Sequence, residues 1–103
     1  SIDSSHFESN FNLGALYYNT GGDMKNKSNG FPLKMTKSEQ SEFDALQSGS
    51  IENFKISLAY MESAYLAEPT DLITVSTLRD LYLRLNMVEE MDEIQKVLDT
   101  LQN

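Results

Sequence analysis

The sequence predicts an all-α domain of about four helices. Three observations carry that reading. Apolar residues return every three or four positions through most of the chain, the period of a helix with one buried side. Capping patterns and Pro, Gly or Asn stops divide those stretches into blocks. No run of alternating β-branched residues suggests a strand anywhere.

The first block opens at Ser5-His6-Phe7-Glu8, a capping-box pattern in which Ser5 and Glu8 satisfy each other's free amides. Phe7, Phe11, Leu13, Leu16, Tyr17 and Tyr18 follow. They spread too widely for one stripe, which predicts a helix with two apolar faces. Asn19-Thr20-Gly21-Gly22 weakens the block, and Ser28-Asn29-Gly30-Phe31-Pro32 ends it. A second capping box, Thr36-Lys37-Ser38-Glu39, opens the next block, with Phe43, Leu46, Phe54, Leu58, Met61 and Tyr65 in helical phase if Ser50 fills the missing slot. Ser48-Gly49-Ser50 is either a short loop or a weak point in one long helix. The preserved phase favours the continuous helix, because an interior glycine costs only about 1 kcal/mol. Pro69 closes it. The third block carries Leu72, Val75, Leu78, Tyr82 and Leu85, with Asn86 as a left-handed stop. The fourth carries Val88, Met91, Ile94, Leu98 and Leu101 beside an acidic face. The expected helices are about 5–28, 37–67, 71–85 and 88–101.

The chain of 103 residues is one domain or a piece of a larger protein, and its start at Ser1 without methionine suggests a cut or mature fragment. Sixteen acids against eight bases give a net charge of −8. That balance disfavours nucleic acid and anionic membrane as partners, since both reward lysine and arginine. No apolar run is long enough for a membrane span. Cysteine is absent, so disulfides and thiolate metal sites are excluded. Half of the bases, Lys25, Lys27, Lys34 and Lys37, lie within thirteen residues.

At Asn12-Leu13-Gly14-Ala15-Leu16-Tyr17-Tyr18 the chain resembles the tetratricopeptide repeat family. Its helix–turn–helix unit runs W-x2-L-G-x2-Y, then A-x3-F, then a closing proline. The first part is matched by Asn10-x2-Leu13-Gly14-x2-Tyr17. The second is matched by Ser57-x3-Met61-x2-Ala64-x4-Pro69, and Leu78 and Tyr82 stand in the Leu and Tyr slots of a following unit. The resemblance implies that Gly14, Ser57 and Ala64 are small where paired helices approach, that Leu13, Tyr17 and Met61 fill the space around them, and that Pro69 separates the units. It departs at Asn10, Ser57 and Arg79, which stand for the aromatic, an alanine and a glycine. Tyr17 and Ser57 also lie 40 positions apart, an insertion of about 30 residues relative to the family unit. The implied architecture is a fragment of a right-handed α-solenoid of antiparallel helix pairs within a single domain, 1–103. Repeat 1 would span about 5–69, with the insertion at about 20–50, and repeat 2 about 70–101. The insertion would extend the first hairpin, with Gly30-Phe31-Pro32 at its tip. Such enlarged last hairpins end some larger bacterial proteins of this family, which would leave upstream repeats outside the chain and leans towards an exported or periplasmic bacterial setting.

Few residues suggest chemistry. Asp3, Ser4, Ser5 and His6 contain the ingredients of a hydrolytic triad, but adjacent residues at a terminus lack the fixed geometry. Asp23 to Gly30 has lysines where a calcium loop needs oxygen ligands. Asn26-Lys27-Ser28 is a formal glycosylation acceptor. The acids at Glu89, Glu90, Asp92 and Glu93 suit the N-terminus of a helix, and the lysine cluster suits a solvated tip. No catalytic group, metal site or cofactor is expected. The expectation is a protein-interaction module, a helical-repeat scaffold within a larger protein, or alternatively a structural C-terminal cap of a longer solenoid. Phe7, Phe11, Ala15 and Tyr18 are the candidate interaction surface. An upstream repeat, a partner peptide and this chain's own hairpin are the three occupants considered for it. Residues 1–20 contain no Lys or Arg, which argues against the family's chaperone-type clamp for C-terminal carboxylates.

Overall fold

The computed structural model describes residues 4–103, with side chains described from His6 onward. The Ser5 cap and the Asp3, Ser4 and Ser5 members of the triad reading therefore lie outside the described side chains. Four helices appear in order: α1 (Ser4–Asn29), α2 (Lys37–Ala67), α3 (Leu72–Arg84) and α4 (Val88–Gln102). No strand occurs among the described residues. The all-α expectation and its four helices are met, with boundaries within one or two residues.

Local chemistry sets each boundary. At the start of α2 the Thr36 hydroxyl accepts from the Glu39 amide at 3.1 Å, and the Glu39 carboxylate accepts from the Thr36 amide at 2.9 Å. Pro69 cannot continue α2 and restricts the residue before it, so the helix ends at Ala67 and Glu68 is its cap. Asp71 then caps α3, accepting from the Thr74 amide and hydroxyl at 3.0 and 2.7 Å. At the other end Asn86 takes φ 58°. The Met87 amide donates to the Tyr82 carbonyl and the Asn86 amide to the Leu83 carbonyl, which is a Schellman closure. Ser48-Gly49-Ser50 lies inside α2 without a break, and no glycine has positive φ.

α1 and α2 form a long antiparallel hairpin. Gly14 lies against Ser57 and Met61, Gly21 against Ser50 and Phe54, and Lys25 reaches Gln47. The hairpin makes the molecule elongated, 55 × 27 × 18 Å. α3 packs on α2 and α4 on α3. Phe54, Leu58 and Met61 of α2, Val75, Leu78, Leu81 and Tyr82 of α3, and Ile94 and Leu98 of α4 form the core. Leu72 and Val88, expected in the apolar stripes, are exposed at the first residues of their helices, while Leu81 is fully buried. Leu81 lies on the side of α3 between the helices it touches, which a single-stripe reading leaves out.

Candidate interaction surface

The faces of the hairpin follow from its contact line. A built Cβ at Gly14 would stand 2.8 Å from Met61 Cγ, and one at Gly21 would stand 2.9 Å from the Phe54 ring. Seven residues apart, these glycines mark the stripe of α1 that touches α2. The Ser57 hydroxyl donates to the Gly14 carbonyl at 2.7 Å, fully buried. Thus the small pair at the close approach is Gly14 with Ser57, and Ala64, itself fully buried, sits two turns further along α2. Of the other packing residues, Met61, Leu78 and Tyr82 are buried and Pro69 stands in the exposed α2–α3 turn.

Phe11, Ala15 and Tyr18 fall on one side of the glycine line, and that side faces α3. All three pack against the core. Phe7 stacks on Phe11 with centroids 5.7 Å apart, and Tyr18 lies 6.0 Å from Phe54. The Tyr18 hydroxyl donates to Asp80 at 2.5 Å, Arg84 donates to the same carboxylate oxygen at 2.7 Å, and the guanidinium lies 5.0 Å above the Phe54 ring. Phe11, Ala15 and Tyr18 are thus partly buried against this chain's own core, with Phe7 stacked on Phe11 at the end of the stripe. Burial, then the Asp80 carboxylate, raises the Tyr18 pKa above the ordinary value, while the Asp80 hydrogen bond holds Arg84 protonated. Tyr82 likewise is raised, by burial and by donating to Glu62 at 2.8 Å.

The other side of the glycine line is the open one. Leu13, expected as packing, is 37% exposed, and Tyr17 stacks half-buried on Tyr60 at 6.0 Å with planes 10° apart. Ile56 lies beside them, 36% exposed. Thr20 and Ser63 continue the same face by helical phase. Asp23 and Lys55 project from the backs of their helices by that phase, Glu62 turns to Tyr82, and Glu52, one turn before Ile56, stands at the edge of the face. The face from Asn10 to Met24 on α1 and from Gly49 to Ala67 on α2 thus carries one charged side chain by phase, Glu52 at its edge, among the described residues. Sequence reasoning missed Ile56 and Tyr60. The signal lay in their phase relative to Gly14 and Gly21, which tells the two sides apart only once α3 is known to choose one.

Elsewhere the side chains have structural partners. His6 is exposed, with the Asn10 amide donating to its carbonyl at 2.9 Å. Residues 23–29 are helical rather than a calcium-type loop, and the Ser28 hydroxyl of the glycosylation triplet is buried, donating to the Lys25 carbonyl at 2.7 Å. No helix is long and apolar enough to cross a membrane among the described residues. Fold and surface together define an all-α protein of two helix pairs, the first much longer than the second. No protein-family model, curated protein or solved structure matches the chain.

Proposed function

We propose that the chain is a protein-interaction module of the tetratricopeptide type, a scaffold whose long hairpin receives another helix pair on its open apolar face. The observation that carries the reading is that face itself. One broad side of α1–α2 is covered by α3, and the opposite side presents Leu13, Tyr17, Ile56 and Tyr60 with a single acid, Glu52, at its edge, in a chain where 23% of residues are charged. Burial of such side chains against a partner helix is favourable at about 25 cal/mol per Å² of apolar surface. The Gly14–Ser57 approach, the Pro69 turn and the buried Leu78 and Tyr82 agree with the spacing of the repeat family. A structural cap on a longer stack is the second reading. It is favoured by the outward acids of α4, Asp92 and Asp99, which suit an end that faces water.

Photo-crosslinking residues placed at Leu13, at Ile56 and at the α4 control position Thr100, in the cell that makes the protein, test this. Discrete adducts at Leu13 and Ile56 that map to helical segments of another protein are expected. Adducts confined to one longer polypeptide would select the cap. Yields at Leu13 and Ile56 no greater than at Thr100 would end the interface reading.

A further inference from the structure

Leu33 is the most exposed large apolar side chain among the described residues, at 103%. It stands in the α1–α2 loop at the far end of the hairpin, and that loop is tied down on both sides of it. The Gly30 and Phe31 amides donate to the Lys27 and Ser28 carbonyls at 3.2 Å, Phe31 meets Phe43 edge-on at 5.9 Å, and Thr36 caps α2. The leucine is therefore presented, not folded back. Lys27, Lys34 and Lys37 lie within six residues of it at the same end of the hairpin, and none of them forms an ion pair among the described residues.

Towards the other end of the molecule an open groove of about 420 Å³ lies between α2, α3 and α4. Tyr65, Tyr82, Ile94 and Val97 line its floor, and Glu89, Glu90 and Glu93 its rim. Lys96 already engages Glu93 at 3.2 Å. Glu89 and Glu90 have no such partner among the described residues. Acids at a helix start are favourable on their own account, but they do not require an apolar groove beside them. The two ends are complementary: a bare leucine among lysines, and an apolar floor edged by carboxylates. No chain can join its own two ends, because Thr36 and Tyr65 are separated by 29 residues of straight helix, about 43 Å.

We propose that the hairpin tip of one copy docks in the groove of a second copy, with Leu33 on the Tyr65–Val97 floor and Lys34 and Lys37 facing Glu89 and Glu90. This contact is separate from the open hairpin face and does not depend on it. Its two surfaces differ, so copies either chain head to tail or close reciprocally in a two-fold dimer with each tip in the other's groove.

Sedimentation velocity of the full 103-residue chain tests the proposal. The average mass is expected to rise with concentration at low salt and to fall as salt screens the lysine–glutamate attraction. A tip variant, Leu33→Ser with Lys34→Ser, and a groove variant, Glu89→Lys with Glu90→Lys, should each weaken self-association at least about fivefold. All four positions are exposed, so the tip variant should melt with the parent, and the groove variant only slightly below it because Glu89 and Glu90 also favour the start of α4. Mixed together, the two variants still hold one intact tip and one intact groove, and should form a complex of two chains that grows no further. A parent that stays monomeric at every concentration overturns the proposal. So do variants that associate as well as the parent, or a mixture that remains monomeric.

Discussion

Tyr18, Asp80 and Arg84 show how single side chains connect helices that the apolar pattern alone leaves independent. One carboxylate oxygen of Asp80 accepts from both the Tyr18 hydroxyl and the Arg84 guanidinium, so α1 is tied to α3 across 62 residues of sequence. Tyr82 does the same between α3 and α2 through Glu62. In each case the phenol must stay protonated to donate, and the neighbouring carboxylate together with burial raises its pKa from the ordinary 10.0. The folded state therefore holds these protons more tightly than the unfolded state. The stabilisation is complete below about pH 10 and is lost as pH rises from there through the folded values. Urea unfolding followed from pH 8 to 11 should show stability falling above pH 10. The double variant Tyr18→Phe, Tyr82→Phe should be less stable at pH 8 yet show a shallower alkaline decline. An equal decline in parent and variant would assign the loss to other groups.

Helix pairing is set by glycines in this fold, and the adjacent pair Gly21-Gly22 separates two roles that look alike in sequence. A Cβ at Gly21 would meet the Phe54 ring at 2.9 Å and the Ser50 carbonyl oxygen at 3.1 Å, whereas at Gly22 it meets nothing within 4 Å. Gly22→Ala should stabilise by up to about 1 kcal/mol through helix propensity alone. Gly21→Ala gains the same propensity but must displace a rigid ring and a backbone atom, an overpacking cost of about 1–3 kcal/mol, so a net loss is expected. Chemical denaturation of the two variants checks the opposite signs; a rise in both would mean that Gly21 does not set the helix spacing. The helices themselves were legible in the sequence, through the capping box at Thr36, the stop at Asn86 and the uninterrupted phase across Gly49. The faces were not. Leu13 and Phe11 are equally apolar, and only the docking side of α3 makes Phe11 internal and leaves Leu13 open. Alanine at Gly49 meets the same limit. Helical φ favours alanine there, yet its Cβ would run into the Met24 methyl, a neighbour 25 residues away that no local pattern reveals. That flexible methyl can turn aside, so the gain shrinks towards zero.

Across the whole molecule the core is confined to one end. Its buried cluster begins at Phe54 on α2 and takes in α3 and α4, while no hydrophobic side chain from 19 to 53 belongs to it or packs against it. The projecting half of the hairpin is held by its own contacts: Gly21 on Phe54 and Ser50, Met24 on Gly49 and Asn53, Lys25 on Gln47, and Phe31 on Phe43. These are thin layers of one helix on one helix, with water on every other side. Such a segment should open without the core, since opening it exposes little apolar surface and releases much chain entropy. Native-state hydrogen exchange resolves the two behaviours. Amides of residues 24–46 should exchange at a lower free energy than those of 56–64 and 75–82, with a smaller dependence on denaturant because less surface is uncovered. The core amides should instead follow the steep denaturant dependence of global unfolding. If the tip amides match the core in both free energy and slope, the hairpin unfolds only as part of the whole. In that case the contacts between α1 and α2 beyond Gly21 hold as firmly as the three-helix core beside them.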